Sequence, residues 1–411
     1  MHPNRQSASA LVRKFARISL FAIVQLALVL ILSEVALRWI RPHSRSLRTV
    51  LYDSTSPSRF EDIESLPELL EQSIRGYQPF EVSHGFVLNS RGLRTKEYST
   101  KKEPGTYRVL AIGDSFTNAS GGIPHPRHWP TLLEEGLAKR RNGRVEVLRL
   151  GVGGTGPQFQ LRLWQIEGAL LEADAVVLGF FVGDDFLTGP QRLVRTFPRD
   201  PSDRLASASL TYRLIRNLRR VRGGAEEQAA EKSISAPSAL QKGGYEIVEY
   251  RDRFDPTVPK LTPQAHLRIE ARRMAFTRLD RKAWFEALFE GVTETLDAFH
   301  AEVTRAGAEF VVLIIPDEYQ VHSELRDAVL KETRSMLEDY DLERPQRLLV
   351  EFLSERGIAY VDLLPHFREA AEKARLYLPH NTHWNFAGNR LAARLLLEYF
   401  ASVRSNPPPM G

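Results

Sequence analysis

Four short segments hold the residues able to do chemistry. The first is Gly113-Asp114-Ser115-Phe116-Thr117, directly after the apolar run YRVLAI. A serine at a strand-to-helix turn presents its hydroxyl, and its own N–H, beyond the carboxyl end of the strand, where ligands bind in open α/β sheets. Gly113 permits the tight turn. The same Asp-Ser pair also suits a helix N-cap, so the triplet by itself leaves both roles open. The second segment is Gly151-Val152-Gly153-Gly154-Thr155-Gly156. Its spacing fits neither GxGxxG with a later acidic partner nor a Walker loop. Beside a serine, backbone N–H groups suit an oxyanion, with Gly154 the leading donor; a glycine loop without a ligand role is the alternative. The third is Gly183-Asp184-Asp185. The fourth is His380-Asn381-Thr382-His383-Trp384-Asn385, which brings His383 to the rim expected for Ser115. Two histidines on a loop without a matching carboxylate pattern do not make a metal site.

Five apolar, β-rich runs must position these segments: Tyr107–Ile112, Val145–Leu150, Ala175–Val182, Glu309–Ile315 and Ile358–Leu363. Near-continuous apolar runs suit parallel strands buried on both faces. Helical spacing of Leu, Trp and Ile in Trp129–Arg141 and Pro157–Leu171 places helices between them. The expectation is an α/β fold: a doubly wound, flavodoxin-like five-stranded parallel sheet in an α/β/α sandwich, plus an N-terminal transmembrane helix.

A stretch at about 190–280 separates the third and fourth strands and exceeds an ordinary connection. It contains RLIRNLRRVRGG (Arg213–Gly224), with Leu214, Ile215, Leu218 and Val221 on helical spacing. That piece reads either as a surface for an anionic membrane or as a solvated helix packed on the domain. The polar Ala/Ser/Glu/Lys segment after it reads as flexible.

The 411 residues carry 56 basic and 51 acidic side chains, for a net charge of +5. That surplus is small for the length, so nucleic-acid binding is not implied. No cysteine is present, which excludes disulfides and thiolate chemistry. Ile18–Ser33 is uncharged and follows Arg5, Arg13, Lys14 and Arg17. Val35–Leu37 extend the apolar run, Glu34 can pair with Arg38, and Trp39 sits where an interfacial aromatic would anchor. An uncleaved signal-anchor is the leading reading, with a cleaved signal peptide and a core helix as rivals; no small-x-small cleavage site follows the run. The basic flank places everything after Arg41 outside the cytoplasm. The expected organisation is a basic cytoplasmic N-terminus over 1–17, a transmembrane anchor over 18–40, and a stem with lead-in over 41–104. The main domain follows over 105–400 and a flexible tail over 401–411.

In order, AIGDSFTNASGG, LGVGGTG, FFVGDD and NTHWNFAGN resemble the blocks of the SGNH (GDSL-type) hydrolases, from about 105 to 400 without the insertion. Within that family the chain is most similar to membrane-anchored bacterial members with a late Asp-x-His-Trp motif, of which alginate O-acetylation domains are a branch. NSRGLR (Asn89–Arg94) also looks like their lead-in. The resemblance implies Ser115 as nucleophile, His383 as general base, and the Ser115 and Gly154 amides as oxyanion donors. Two positions depart from the pattern. Asp184 stands where the third block normally carries an Asn donor, and an ionised Asp would repel an oxyanion. Asn381 stands where an acid normally orients the histidine; Asp362 or Asp317 are candidate replacements for that acid. The expected function is an extracytoplasmic acyl-esterase or O-acyltransferase that needs no cofactor, acting on O-acetylated cell-surface polysaccharide or lipid esters. The alternative from another class is a catalytically degenerate glycan- or partner-binding protein.

Overall fold

The computed structural model describes residues 5–40, 63–71, 73, 79–80, 82–83, 86–186, 209, 211–212, 214–215 and 254–405. The chain divides into two compact units, Met1–Ser56 with Leu193–Ile234, and Pro57–Arg192 with Ser235–Gly411.

In the first unit a helix over Arg5–Ile40 takes in the whole N-terminal apolar run. Side chains before Phe21 lie outside the described residues. Phe21, Ile31 and Trp39 are exposed. Glu34 is the polar centre of this unit. Arg38 Nε donates to one carboxylate oxygen at 2.9 Å, and Ser209 Oγ and Thr211 N donate to the other at 3.0 and 3.1 Å. A short piece of the insertion is thus bound to the helix. Among the described residues, no helix is long and apolar enough to cross a membrane. Of the arginine-rich stretch, only Leu214 and Ile215 are described, both helical.

The second unit contains a two-residue antiparallel ladder, β1 (Val82–Ser83) with β2 (Phe86–Val87), and a five-stranded sheet. The sheet strands are β3 (Tyr107–Gly113), β4 (Val145–Gly151), β5 (Ala175–Phe181), β6 (Glu309–Ile315) and β7 (Ala359–Asp362). All are parallel, in the order β4-β3-β5-β6-β7. Each expected run forms a strand, with ends shifted by one residue at most places. Counted within the sheet, the order is 2-1-3-4-5, the flavodoxin-like winding whose switch point lies between the first and third strands, here β3 and β5.

Alternation along the strands builds two cores. Leu110, Ile112, Leu148, Leu150, Val176, Leu178, Val312 and Ile314 point to one face, against the helices Pro157–Ile166, Lys282–Arg305 and Arg344–Glu355. Val109, Ala111, Val145, Val147, Val177, Leu313 and Ile315 point to the other, against Trp129–Arg140, Leu364–Ala371 and Phe386–Ser405. Burial on both faces explains why the strand sequences read as unbroken apolar runs.

Two expected boundaries change. Part of the segment expected as stem and lead-in is core: Leu69, Leu70, Leu88 and Leu93 are buried in the first cluster, packed with the sheet. The C-terminal helix runs on to Ser405, past the point where a flexible tail was expected. The last part of the insertion also has structure, a helix over Pro263–Met274 capped by Thr262 Oγ1 on Ala265 N at 3.2 Å.

Leu69 has no exposed surface. Leu69→Ala should therefore lower stability by about 2–5 kcal/mol, the cost of an emptied core site. Urea unfolding measures this, and a change below about 0.5 kcal/mol, as at an ordinary surface position, would return the segment to the stem.

Candidate active site

The Ser115 turn is held down by missing side chains. Gly113 pairs in register with Gly151 on β4 and with Gly179 on β5. The one-turn helix Ser115–Asn118 drops onto these three glycines. A Cβ at Gly113 would lie 2.3 Å from Thr117 Oγ1, one at Gly179 2.7 Å from the same atom, and one at Gly151 2.5 Å from Asn118 N. Asp114 closes the start of the turn: its Oδ1 accepts from Phe116 N at 2.9 Å and its Oδ2 from Ser115 Oγ at 3.3 Å. The N-cap role of Asp114 and a half-buried serine hydroxyl at the pocket therefore coexist in one triplet.

Buried cations and aromatics fix the rest of the turn. Arg94, from the NSRGLR lead-in, donates through one nitrogen to Asn118 O at 2.8 Å and Ala119 O at 2.9 Å. These are carbonyls that a helix end leaves without partners. Phe116 O accepts from His128 Nε2 at 2.9 Å and from Trp129 Nε1 at 3.2 Å. His128 Nδ1 then accepts from Arg149 Nη1 at 2.9 Å, while Arg149 Nε donates to Arg94 O at 2.6 Å. Burial, and next the Arg149 charge, hold His128 well below the usual histidine range, so it stays neutral and keeps this tautomer.

His383 reaches the same pocket from the loop before the C-terminal helix. Ser115, Phe116, Gly121, Ile123, His383 and Trp384 line it. Phe116 packs 5.1 Å from the His383 ring and 4.9 Å from Trp384. Gly121 lets the loop close on the histidine, because a Cβ there would sit 2.7 Å from His383 Cβ. His383 Nδ1 donates to Asn381 Oδ1 at 2.8 Å. An amide oxygen can only accept, so the ring carries its proton on Nδ1 and leaves the Nε2 lone pair open. Nε2 is buried and has no hydrogen-bond partner among the described residues. Burial first, then the charges of Arg273 and Lys260, push His383 down to about 3.

Neither candidate replacement acid reaches this histidine. Asp317 Oδ1 caps the turn after β6 by accepting from Glu318 N at 2.7 Å. Asp362 Oδ1 accepts from Leu364 N at 3.0 Å after β7. Among the described residues, Asn381 is the nearer hydrogen-bond partner of the ring, with Thr382 Oγ1 3.5 Å from the same nitrogen. His380 is turned elsewhere, its ring 5.7 Å from that of His266.

Gly154 and Asp184 follow β4 and β5 at the Ser115 end of the sheet, but neither lines the pocket that Ser115 and His383 share. Gly154 has a φ of +76°, a left-handed conformation that suits glycine. Asp184 N donates to Phe181 O at 3.1 Å, and Asp185 Oδ2 accepts from Phe181 N at 2.8 Å. Sequence reasoning missed Arg94, His128, Arg149 and Arg273. For Arg94 the lead-in motif was a usable signal. The others come together only through the fold.

Residues 277–406 match the model of the family described as SGNH hydrolase-like domain, acetyltransferase AlgX. That match takes in β6, β7 and the Asn381/His383 segment, and starts after the Ser115, Gly154 and Asp184 blocks. Over those residues the chain is similar to an SGNH hydrolase-like domain, in keeping with the resemblance of the late sequence block. No curated protein matches the chain in sequence. Among solved structures, the chain is similar to a member of the lipolytic protein G-D-S-L family from Veillonella parvula, with 14% identity over 72% of this chain and 98% of that one, at a TM-score of 0.34. A catalytic mutant of an acetylxylan esterase from Geobacillus stearothermophilus gives 11% identity over 71% and 93%, at 0.37. A lipase/acylhydrolase from Enterococcus faecalis gives 11% over 74% and 99%, at 0.36.

The contact at Gly121 is testable. Gly121→Ala puts a methyl group into the fixed Cβ of a buried ring, so His383 must move. A displacement near 1 Å can cost about 10²-fold in rate. Acetyl-ester hydrolysis should fall at least tenfold while the thermal transition stays cooperative; unchanged turnover would show that the loop does not set the histidine.

Proposed function

We propose that the chain is a serine acyl-esterase or O-acyltransferase of SGNH type, with Ser115 as nucleophile and His383 as general base. One observation carries this reading. The histidine sharing Ser115's pocket is locked by Asn381 in the tautomer that leaves Nε2 able to accept a proton.

In the reaction, Ser115 Oγ attacks an acyl carbonyl and its proton passes to His383 Nε2. The tetrahedral oxyanion faces the amide of Ser115. Collapse breaks the ester C–O bond, and the leaving alkoxide takes the proton back from His383. Water, or a sugar hydroxyl, then attacks the acyl-serine and gives its proton to His383; collapse breaks the acyl C–Oγ bond, and the departing Ser115 Oγ takes that proton back. An amide orients the ring as a carboxylate would but does not stabilise the imidazolium. In a serine-protease triad, exchanging the acid for Asn costs about 10⁴ in kcat, there through the wrong tautomer. Here the tautomer is the useful one, so only part of that loss applies.

The substrate class is an O-acetylated cell-surface polysaccharide met outside the cytoplasm. What supports the extracytoplasmic part of this reading is the sequence alone, with basic residues ahead of the uncharged Ile18–Ser33 run. The family match supports acyl chemistry.

A second reading, a binding protein that keeps the fold without turnover, has its own support. Ser115 Oγ donates to Asp114 rather than to His383, and His383 is a weak base.

Labelling with a fluorophosphonate, followed by peptide mapping, separates the two. Catalysis predicts an adduct at Ser115 that is absent in Ser115→Ala and strongly reduced in His383→Ala. No adduct between pH 6 and 9 in folded protein would leave the binding reading. Asn381→Asp adds the carboxylate that stabilises the imidazolium. Its folded-state effect is to raise the His383 pKa, so protonation removes the base at higher pH. The acid limb of kcat/KM should then move up from below about pH 4 toward neutrality, with a rate on the alkaline side higher by on the order of tenfold or more. An unmoved limb would mean His383 is not the base.

A further inference from the structure

The departure at Asp184 has a neighbour that the sequence blocks do not contain. Arg273 sits in the last turn of the helix Pro263–Met274, the final piece of the long insertion. Its guanidinium carbon lies 4.8 Å from the ring centroid of Phe181, the last residue of β5. Phe181 packs 4.6 Å from Phe116, which packs on His383. The insertion thus returns to the domain under the floor of the Ser115 pocket.

Arg273 is held there by two acids. Its Nη1 donates to Glu270 Oε1 at 3.0 Å, and its Nε lies 3.8 Å from Asp317 Oδ2. Asp317 Oδ2 in turn presses against the third block, where a Cβ on Gly183 would fall 2.0 Å from that oxygen. Arg273 thus lies next to the acid that abuts Gly183, and the Asp184 charge is among those that favour its guanidinium. Glu270 and Asp317 do not double the negative charge on it. Burial, and next the Asp317 charge, push the Glu270 carboxyl well up. The groups facing Arg273 are then Glu270, Asp317 and Asp184, and Lys260 is the other cation that His383 feels.

We infer that Arg273 is a positioning residue of the acyl-transfer site, which offsets the Asp184 carboxylate so that an acid can occupy the third-block position without repelling the oxyanion. This rests on the acyl-transfer reading above. It also gives the insertion a task, since the helix that ends it delivers the compensating charge. The same cation disfavours the His383 imidazolium, so the device that protects the oxyanion also weakens the base.

Kinetics of acetyl-ester hydrolysis by Arg273→Gln, Asp184→Asn and the double variant, in the full chain, test it. Arg273→Gln should lower kcat at least tenfold with KM within about twofold, the pattern of an interaction felt in the transition state. Adding Asp184→Asn should restore most of that loss, a rescue that a merely structural arginine would not allow. The acid limb of kcat/KM should also rise in Arg273→Gln. A double variant no better than Arg273→Gln, or an Arg273→Gln enzyme as fast as the wild type, overturns the inference. If Arg273→Gln does not fold, Asp184→Asn is measured with Arg273 and with Arg273→Lys. Removing the carboxylate beside a retained cation should raise kcat several-fold in both, and an unchanged kcat overturns the inference. Failure of the acyl-transfer reading looks different: the wild-type protein itself then shows neither turnover nor a Ser115 adduct.

Discussion

Three glycines in register on three adjacent strands decide where the serine stands. Gly113, Gly151 and Gly179 form a floor without side chains, and the turn Ser115–Asn118 occupies the space their Cβ atoms would fill. Everything else in the site is built on that descent. Arg94 reaches the carbonyls of Asn118 and Ala119 only because the turn ends at this depth, and His128 and Trp129 meet the carbonyl of Phe116 for the same reason. Hydrogen bonds from charged donors are worth roughly 1.5–3 kcal/mol each. The turn is thus pinned on its buried side while its serine hydroxyl stays at the pocket.

Above the floor, the electrostatics are those of a neutral site. His383 is half-buried, oriented by an uncharged amide and under the influence of two cations, all of which disfavour its protonated form. On the acyl-transfer reading, such a base is in its working form over the whole physiological range, yet it takes a proton reluctantly. The weak base and the acid at position 184 are linked through Arg273. That link explains how two departures from the family pattern can sit in one chain, because the charge that tolerates the first makes the second more consequential.

The fold was legible because its signals are local. Five apolar runs longer than any surface strand needs, each followed by helical spacing, gave the parallel sheet and its faces. The site was legible at the strand ends, where Gly113-Asp114-Ser115 and His383 stand beside recognisable punctuation. Gly179 was not legible, since a glycine inside AVVLGFF looks like a weak point in a strand until Thr117 is seen above it. The Arg94–Arg149–His128 relay joins residues from three separate segments, and no spacing rule connects them. Asp317 shows the opposite error. Its place after β6 made it a reasonable stand-in acid, but its carboxylate is committed to capping the next turn and to Arg273. Leu69 and Leu70 were read as stem because a six-residue helix carries too little periodicity to declare its buried face.

The central claim is that an amide holds His383 neutral, with its proton on Nδ1 and its lone pair on Nε2. Nitrogen-15 NMR of the imidazole, assigned through loss of the signal in His383→Gln, tests this most directly. The account predicts one Nδ1–H tautomer that does not titrate between pH 5 and 8. A proton on Nε2, or a titration near the ordinary value of about 6.5, would contradict it.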